Sequence, residues 1–184
     1  MRFDLSTRLL ATIFALSSSA FLVSSCQEDD VPAVAVPEGE YVIHVEDIAM
    51  EDLTVPKGFS ATFVDGALRL SGSGNDANTA GKLAGISIRI PDEVEKDVSG
   101  RTVLISIYGK SKEGSGVSAA YWTNEVGNSG WQKLAIGRKE SSDAFTYEVP
   151  VAKAFLGDSL GIIPDPEKNG QSFDLKTIGV DIID

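Results

Sequence analysis

The sequence predicts an all-β fold, an antiparallel β-sandwich of the jelly-roll type with about ten short strands. The first observation is the alternation of apolar and polar side chains. Ile86, Ile88 and Ile90 alternate with Ser87 and Arg89, which is the period of a half-buried strand. The second observation is that such runs recur along the chain with turn residues between them, while helical periodicity is nearly absent.

The predicted strands are separated by residues that favour turns. In chain order they cover residues 41–47, 60–64, 67–71, 83–90, 102–108, 117–123, 131–136, 144–149, 159–162 and 173–183. The pair Asp65-Gly66 predicts a tight hairpin, and the glycine-rich segments 71–75 and 114–116 predict flexible loops. Two short helical segments are predicted at residues 93–98 and 151–155.

The first 25 residues have the layout of a secretory signal. A short segment with Arg2 and Arg8 precedes an apolar run over residues 9–23, and small residues follow it. The run is shorter than the roughly 20 apolar residues that span a bilayer. We therefore expect residues 1–25 to be a cleaved signal peptide and not a permanent anchor.

The end of this segment, Val23-Ser24-Ser25-Cys26, resembles the lipobox of bacterial lipoproteins. The resemblance implies cleavage before Cys26 and acylation of its thiol, which would tether the chain to a membrane of the cell envelope through several acyl chains. Gln27 directly follows this cysteine. By resemblance to enterobacterial sorting rules, it favours anchoring in the outer membrane over the inner membrane. The alternative is an ordinary buried cysteine; Cys26 is the only cysteine of the chain.

Residues 26–40 predict an extended tether because Pro32 and Pro37 interrupt a segment without periodicity. The folded domain is expected over residues 41–184. Removing the first 25 of 184 residues leaves 159, with 14 basic and 26 acidic side chains and a net charge of about −12, a size suited to one domain. This balance argues against nucleic acid and against direct binding to anionic membrane surfaces, since both require clustered Lys and Arg.

The order of the predicted strands resembles the galactose-binding-like jelly roll shared by many carbohydrate-binding modules. The resemblance rests on the strand Thr102-Val-Leu-Ile-Ser-Ile-Tyr108-Gly-Lys and on the closing strand that begins Leu175-Lys-Thr-Ile178. It implies that an N-terminal strand pairs beside a C-terminal one, and that the chain binds an oligosaccharide or an envelope polysaccharide. Modules of this shape also serve in adhesion, oligomerisation and spacing.

The segment 120–132 contains both tryptophans of the chain. Aromatic rings bind sugars by stacking on their C–H faces, while amide and carboxylate side chains bind the hydroxyl groups. Tyr121 and Trp122 must point to opposite faces of a strand, so only one of them can enter the core, and the sequence does not say which. The alternative is that one tryptophan fills the core and the other covers a loop. The predicted ligand-binding residues are Tyr121, Trp122, Asn124, Glu125, Asn128 and Trp131.

Calcium is a weaker expectation at two places. Asp165, Glu167 and Asn169 occupy positions one, three and five of an EF-hand-like loop, but Lys176 stands where the bidentate glutamate belongs. An acidic turn is the alternative. The jelly-roll resemblance separately implies a structural ion between the first and last strands, for which the matching acids are Glu46 or Asp47 with Asp181.

The sequence does not favour an enzyme. The one histidine, His44, and the one cysteine cannot supply a catalytic zinc site, and no residue pattern places a nucleophile beside a base. A glycosidase with two carboxylates stays an alternative that the small domain disfavours. We therefore expect a non-catalytic carbohydrate-binding lipoprotein, with a structural or assembly lipoprotein that binds another envelope protein as the alternative.

Overall fold

The computed structural model describes residues 39–74, 84–154 and 157–184. The predicted signal peptide, Cys26 and most of the predicted tether lie outside these residues. Within them, no helix is long and apolar enough to cross a membrane.

The described residues form two six-stranded sheets in which every strand pair is antiparallel. The strands are β1 (Tyr41–His44), β2 (Leu53–Thr54), β3 (Ser60–Val64), β4 (Ala67–Ser71), β5 (Ile86–Arg89), β6 (Thr102–Ser111), β7 (Val117–Thr123), β8 (Gly127–Asn128), β9 (Gln132–Leu134), β10 (Ser141–Glu148), β11 (Ser159–Ile163) and β12 (Ser172–Ile182). One helix, α1, spans Asp92–Val98, and 3₁₀ turns span Val45–Asp47 and Met50–Asp52. The predicted β-sandwich is confirmed.

Sheet 1 has the order β10-β6-β12-β4-β3, and β1 pairs with β12 as well. Because β6 follows one edge of β12 along nearly its whole length, β4 and β1 share the other edge. The first and last strands therefore lie side by side, as the jelly-roll resemblance implies. Sheet 2 has the order β2-β5-β11-β7-β8, and β9 pairs with β7 next to β8.

The core lies between the two sheets, and it is made of the alternating apolar residues of their central strands. Val103, Ile105 and Ile107 of β6 are fully buried, and Leu104 and Ser106 between them point to the other side of the sheet and are only partly buried. The facing sheet contributes Ile86, Ile88, Ala119, Tyr121, Leu160 and Ile162 to the same apolar cluster.

Local chemistry explains several connections. Asp65 and Gly66 both have positive φ, 51° and 71°, as the two-residue hairpin between β3 and β4 requires. Helix α1 begins with acidic residues, which suit the positive end of its dipole. Residues 151–154 form an irregular segment with a bend, so the helix predicted at 151–155 is wrong where the structure describes it.

Candidate functional site

Strand β7 separates the two residues whose orientation the sequence left open. Tyr121 points inwards and is 0 % exposed; its ring centroid lies 5.7 Å from that of Tyr147 at a tilt of 37°. Trp122 points the other way and is partly exposed. Tyr121 was among the predicted ligand-binding residues, and its place in the core removes it from the candidate surface.

Trp131 directly precedes β9, and carrying the alternation of that strand back by one residue assigns it to the same side of sheet 2 as Trp122. Trp122 pairs with Asn128, and Ala119 pairs with Gln132. Three residues between β8 and β9 therefore stand opposite two residues of β7, which is the count of a bulge. Leu134 is buried against the core, so alternation places Lys133 and Trp131 on the outer side. We call this outer surface of sheet 2 the indole face.

Small residues form the floor of the indole face. One row across the sheet contains Arg89, Ser159, Trp122 and Asn128, as the pairing register shows. The next row contains Ser87, Gly161 and Ala120. Ala120 is 0 % exposed and Gly161 is buried, so this row is already covered within the protein.

The indole face carries three hydrogen-bond donors that the protein leaves unused. Trp122 Nε1, Trp131 Nε1 and Asn128 Nδ2 are shielded from solvent, and none of them donates to a protein acceptor. The other end of the Asn128 amide does have a partner, because its Oδ1 accepts from the Gly130 amide at 3.0 Å. An unpaired shielded donor costs about 1–3 kcal/mol, so three on one surface are costly for the protein to leave without an acceptor.

Asn124 and Glu125 lie beyond the end of β7 and bind a neighbouring segment of the chain. Asn124 Nδ2 donates to the Gly157 carbonyl at 3.4 Å, and Glu125 Oε1 accepts from the Lys153 amide at 2.9 Å. Both side chains therefore stabilise the rim of the sheet, one at Gly157 and the other at Lys153. Of the predicted polar ligands, only Asn128 lies on the same strand row as a tryptophan.

The basic residues at the two ends of the indole face are already paired with acids. Arg89 Nη2 lies 2.7 Å from Asp92 Oδ1, and Lys133 forms an ion pair with Glu167. Their charges are therefore largely compensated. This arrangement suits a neutral ligand better than a strongly charged one.

Asp165 and Asp181, one acid from each of the two calcium candidates, accept hydrogen bonds from backbone amides. Asp165 accepts from the amides of Asn169 and Gly170 at 3.0 and 2.8 Å, as in an acidic turn. Asp181 Oδ1 accepts from the Glu40 amide at 2.8 Å. Among the residues that the structure describes, no three His, Cys, Asp or Glu side chains are grouped so that they could hold a metal ion.

Sequence reasoning missed the residues that complete the indole face from β5 and β11. Arg89, Ser87, Ser159 and Gly161 reach it only because β11 pairs between β5 and β7. No local pattern reveals this long-range order. The two-residue strand β8, which fixes Asn128 beside Trp122, was also too short to predict.

The sequence matches no protein-family model and no curated protein. Solved structures share its fold at low identity. The CBM22-1 xylan-binding domain of Xyn10C from Paenibacillus barcinonensis has a TM-score of 0.51 at 14 % identity, over 81 % of this chain and 98 % of that domain. The carbohydrate-binding module CBM6cm-2 of lichenase 5A from Cellvibrio mixtus, solved with cellotriose, has a TM-score of 0.44 at 15 % identity, over 78 % and 98 % of the two chains. The first of these similarities shows that the described domain has a jelly-roll fold like that of a carbohydrate-binding module.

Proposed function

We propose that this chain is a non-catalytic carbohydrate-binding domain that holds an oligosaccharide or a polysaccharide on the indole face. The observation that carries the proposal is the group of unused donors, Trp122 Nε1, Trp131 Nε1 and Asn128 Nδ2, on side chains that are themselves partly exposed. Sugar hydroxyl groups supply the acceptors that these donors lack, and the indoles supply apolar faces for the C–H side of a pyranose.

Binding without catalysis fits the residues of this face. Its described members on β5, β7, β8 and β11 include no Asp or Glu, whereas glycoside hydrolysis requires a pair of carboxyl groups around the bond that breaks. The nearest acid of the predicted site, Glu125, is bound to the Lys153 amide at the rim. These residues support a role in holding a sugar.

The proposal includes a location. The lipobox-like segment before Cys26 would anchor the domain in the bacterial envelope, with the outer membrane favoured. Labelling of cells with a radioactive fatty acid tests this, because the label should enter the wild-type protein and be lost in Cys26→Ser. Equal labelling of both proteins would exclude Cys26 as the anchor.

A glycan array followed by tryptophan fluorescence tests the binding site. Full-length protein is used in a detergent without a sugar headgroup, since glucoside detergents would compete for the site. We expect a glycan-dependent fluorescence shift, and affinity weakened about tenfold or more by Trp122→Ala or Trp131→Ala.

Phe63→Ala is the matched control, because Phe63 is an aromatic side chain on sheet 1 that is 42 % exposed. Its removal should leave the affinity unchanged. Full affinity in both tryptophan variants would refute the site. A protein partner captured from solubilised envelopes, together with no response to any glycan, would refute the function and favour an assembly role.

A further inference from the structure

Two acidic side chains are buried at the end of the sandwich where α1 joins sheet 2. Glu95 lies on α1 and is 2 % exposed, and Asp158 lies directly before β11 and is 4 % exposed. The main chain fixes this region, since the Asp158 carbonyl accepts from the Ile90 amide at 2.9 Å. Carboxyl groups are rarely buried so completely unless a partner compensates them.

The hydrogen bonding around the pair is incomplete. Glu95 Oε2 and the Tyr121 hydroxyl are shielded from solvent and lack a partner in hydrogen-bonding geometry. The Tyr121 hydroxyl nevertheless faces the Asp158 carboxyl group. A shielded acceptor oxygen without a donor is costly. A proton on one of the two carboxyl groups provides a new donor inside the cluster.

No cation compensates the two acids in the described part of the chain. Neither forms an ion pair there. Arg89 lies within electrostatic range of Glu95, but its guanidinium is bonded to Asp92. Glu125, on the loop after β7, adds a further negative charge.

The surroundings favour the neutral form of Asp158. Burial is the largest cause, and repulsion by Glu95 and Glu125 adds to it, against the opposing influence of the nearby Tyr121 hydroxyl; together they raise the pKa of Asp158 to about 6. Burial also raises the pKa of the Tyr121 and Tyr147 phenols. Both phenols therefore stay neutral while Asp158 titrates.

We propose that Glu95 and Asp158 form an acid-stabilised latch, in which one proton retained by the pair holds α1, β7 and the start of β11 together and its loss loosens this end of the sandwich. The latch is coupled by position to the indole face, because Tyr121 and Asp158 directly precede Trp122 and Ser159, which pair across β7 and β11. It does not depend on the proposed carbohydrate function.

A proton suits the pair better than a metal ion. Calcium requires six to eight oxygen ligands, and among residues 39–74, 84–154 and 157–184 no third acid, His or Cys joins these two in an arrangement that could hold an ion. A proton needs no such set of ligands, because a single carboxyl group can hold it.

The sign of the pH effect follows from the raised pKa. Stability contributed by Asp158 is complete below its ordinary value of 3.8 and is lost as pH rises through about 6. We expect the thermal midpoint of the full-length protein to fall between pH 5 and pH 7.5 by on the order of 3 °C more in wild type than in Asp158→Asn. The carboxyl ¹³C resonance of Asp158 should titrate near the same pH.

Glu95→Gln separates the latch from a general effect of charge. Losing the neighbouring charge should move the Asp158 titration to lower pH, whereas Glu93→Gln, an exposed position on the same helix, should leave it in place. An Asp158 resonance that titrates near its ordinary pH in wild type would overturn the latch, even if a variant failed to fold. Calcium gives a second check at pH 7.5. If millimolar calcium raised the thermal midpoint of wild type but not that of Asp158→Asn or Glu95→Gln, the latch would be overturned in favour of an ion site.

Discussion

On the outer face of sheet 1, charged side chains bind one another, whereas on the indole face three N–H donors bind nothing in the protein. Arg69 donates from Nε and Nη2 to Asp174 at 2.7 and 2.9 Å, and Lys110 lies 3.9 Å from the same carboxylate. Lys176 lies 2.5 Å from Glu140, which also accepts from the Tyr108 hydroxyl at 3.0 Å. The first surface is complete without a ligand and the second is not.

The difference between the outer face of sheet 1 and the indole face indicates which surface has a binding function, although the fold itself does not fix one. Both faces are outer surfaces of antiparallel sheets and both contain aromatic residues. They differ in whether the polar groups find partners inside the protein. A surface that satisfies itself contributes stability, and a surface that does not is available for recognition. Substitutions on the two faces should therefore separate stability from binding.

The largest separation is expected from Asp174→Ala against Asn128→Ala. Asp174 has a side chain only 10 % exposed, and its removal leaves Arg69 and Lys110 without their acceptor. We expect it to cost about 2 kcal/mol in the free energy of unfolding. Asn128→Ala removes one hydrogen bond, from the Gly130 amide, so it should cost about 1 kcal/mol and should weaken glycan binding. Urea denaturation and fluorescence titration measure the two effects, and equal losses of stability would remove the distinction between the faces.

The outer face of sheet 1 and the buried pair Glu95 and Asp158 should also differ in how their contribution to stability depends on pH. Hydrogen bonding to Arg69 lowers the pKa of Asp174, and hydrogen bonding to Lys176 lowers that of Glu140. Stability from a carboxyl group with a lowered pKa is present above its ordinary value, here 3.8 for Asp174, and is lost as pH falls through the folded-state value. This sign is opposite to that of Asp158.

We therefore expect the difference in thermal midpoint between wild type and Asp174→Asn to be constant from pH 7 to pH 5 and to shrink below the ordinary pKa of 3.8. For Asp158→Asn the difference should change between pH 4 and pH 7 instead, in the window set by its pKa of about 6. Thermal scans of both variants over this range check the prediction. The same pH window for both would contradict the assignment of opposite signs.

The sequence predicted the strands of this fold better than the directions of their side chains. The bounds of β3, β4 and β7 agree with the predicted segments at both ends, because alternation and turn residues are local properties. Alternation also showed that Tyr121 and Trp122 point to opposite faces of the sheet, but it does not show which of the two faces the core. The inner side is set by Leu160 of β11, which lies opposite Tyr121, and by the ring of Tyr147.

The position of Trp131 shows why the candidate site was only partly predictable. One extra residue in the strand, at the bulge before β9, reverses the side to which every later residue points. The bulge can be recognised only from the pairing of Asn128 with Trp122 and of Gln132 with Ala119. The number of residues between Asn128 and Gln132 does not reveal it from the sequence. The sequence named both indoles but could not place them on one face.

The smallest expected effect comes from removing one donor from each face without removing a ring. Tyr108→Phe deletes the hydroxyl that donates to Glu140, and we expect it to cost about 1 kcal/mol. Trp122→Phe deletes an N–H that has no partner. The phenyl ring is smaller than the indole, but the position is partly exposed, so the free energy of unfolding should change by less than about 0.5 kcal/mol.

Glycan affinity should respond in the reverse order, since only Trp122→Phe removes a donor that a sugar could use. Chemical denaturation measures the stability of the two variants, and a binding titration measures their glycan affinity. Each variant thus serves as the control for the other. If Trp122→Phe destabilised the protein as much as Tyr108→Phe, the N–H of Trp122 would have a structural role. The unused donors would then no longer distinguish the indole face from the rest of the sandwich.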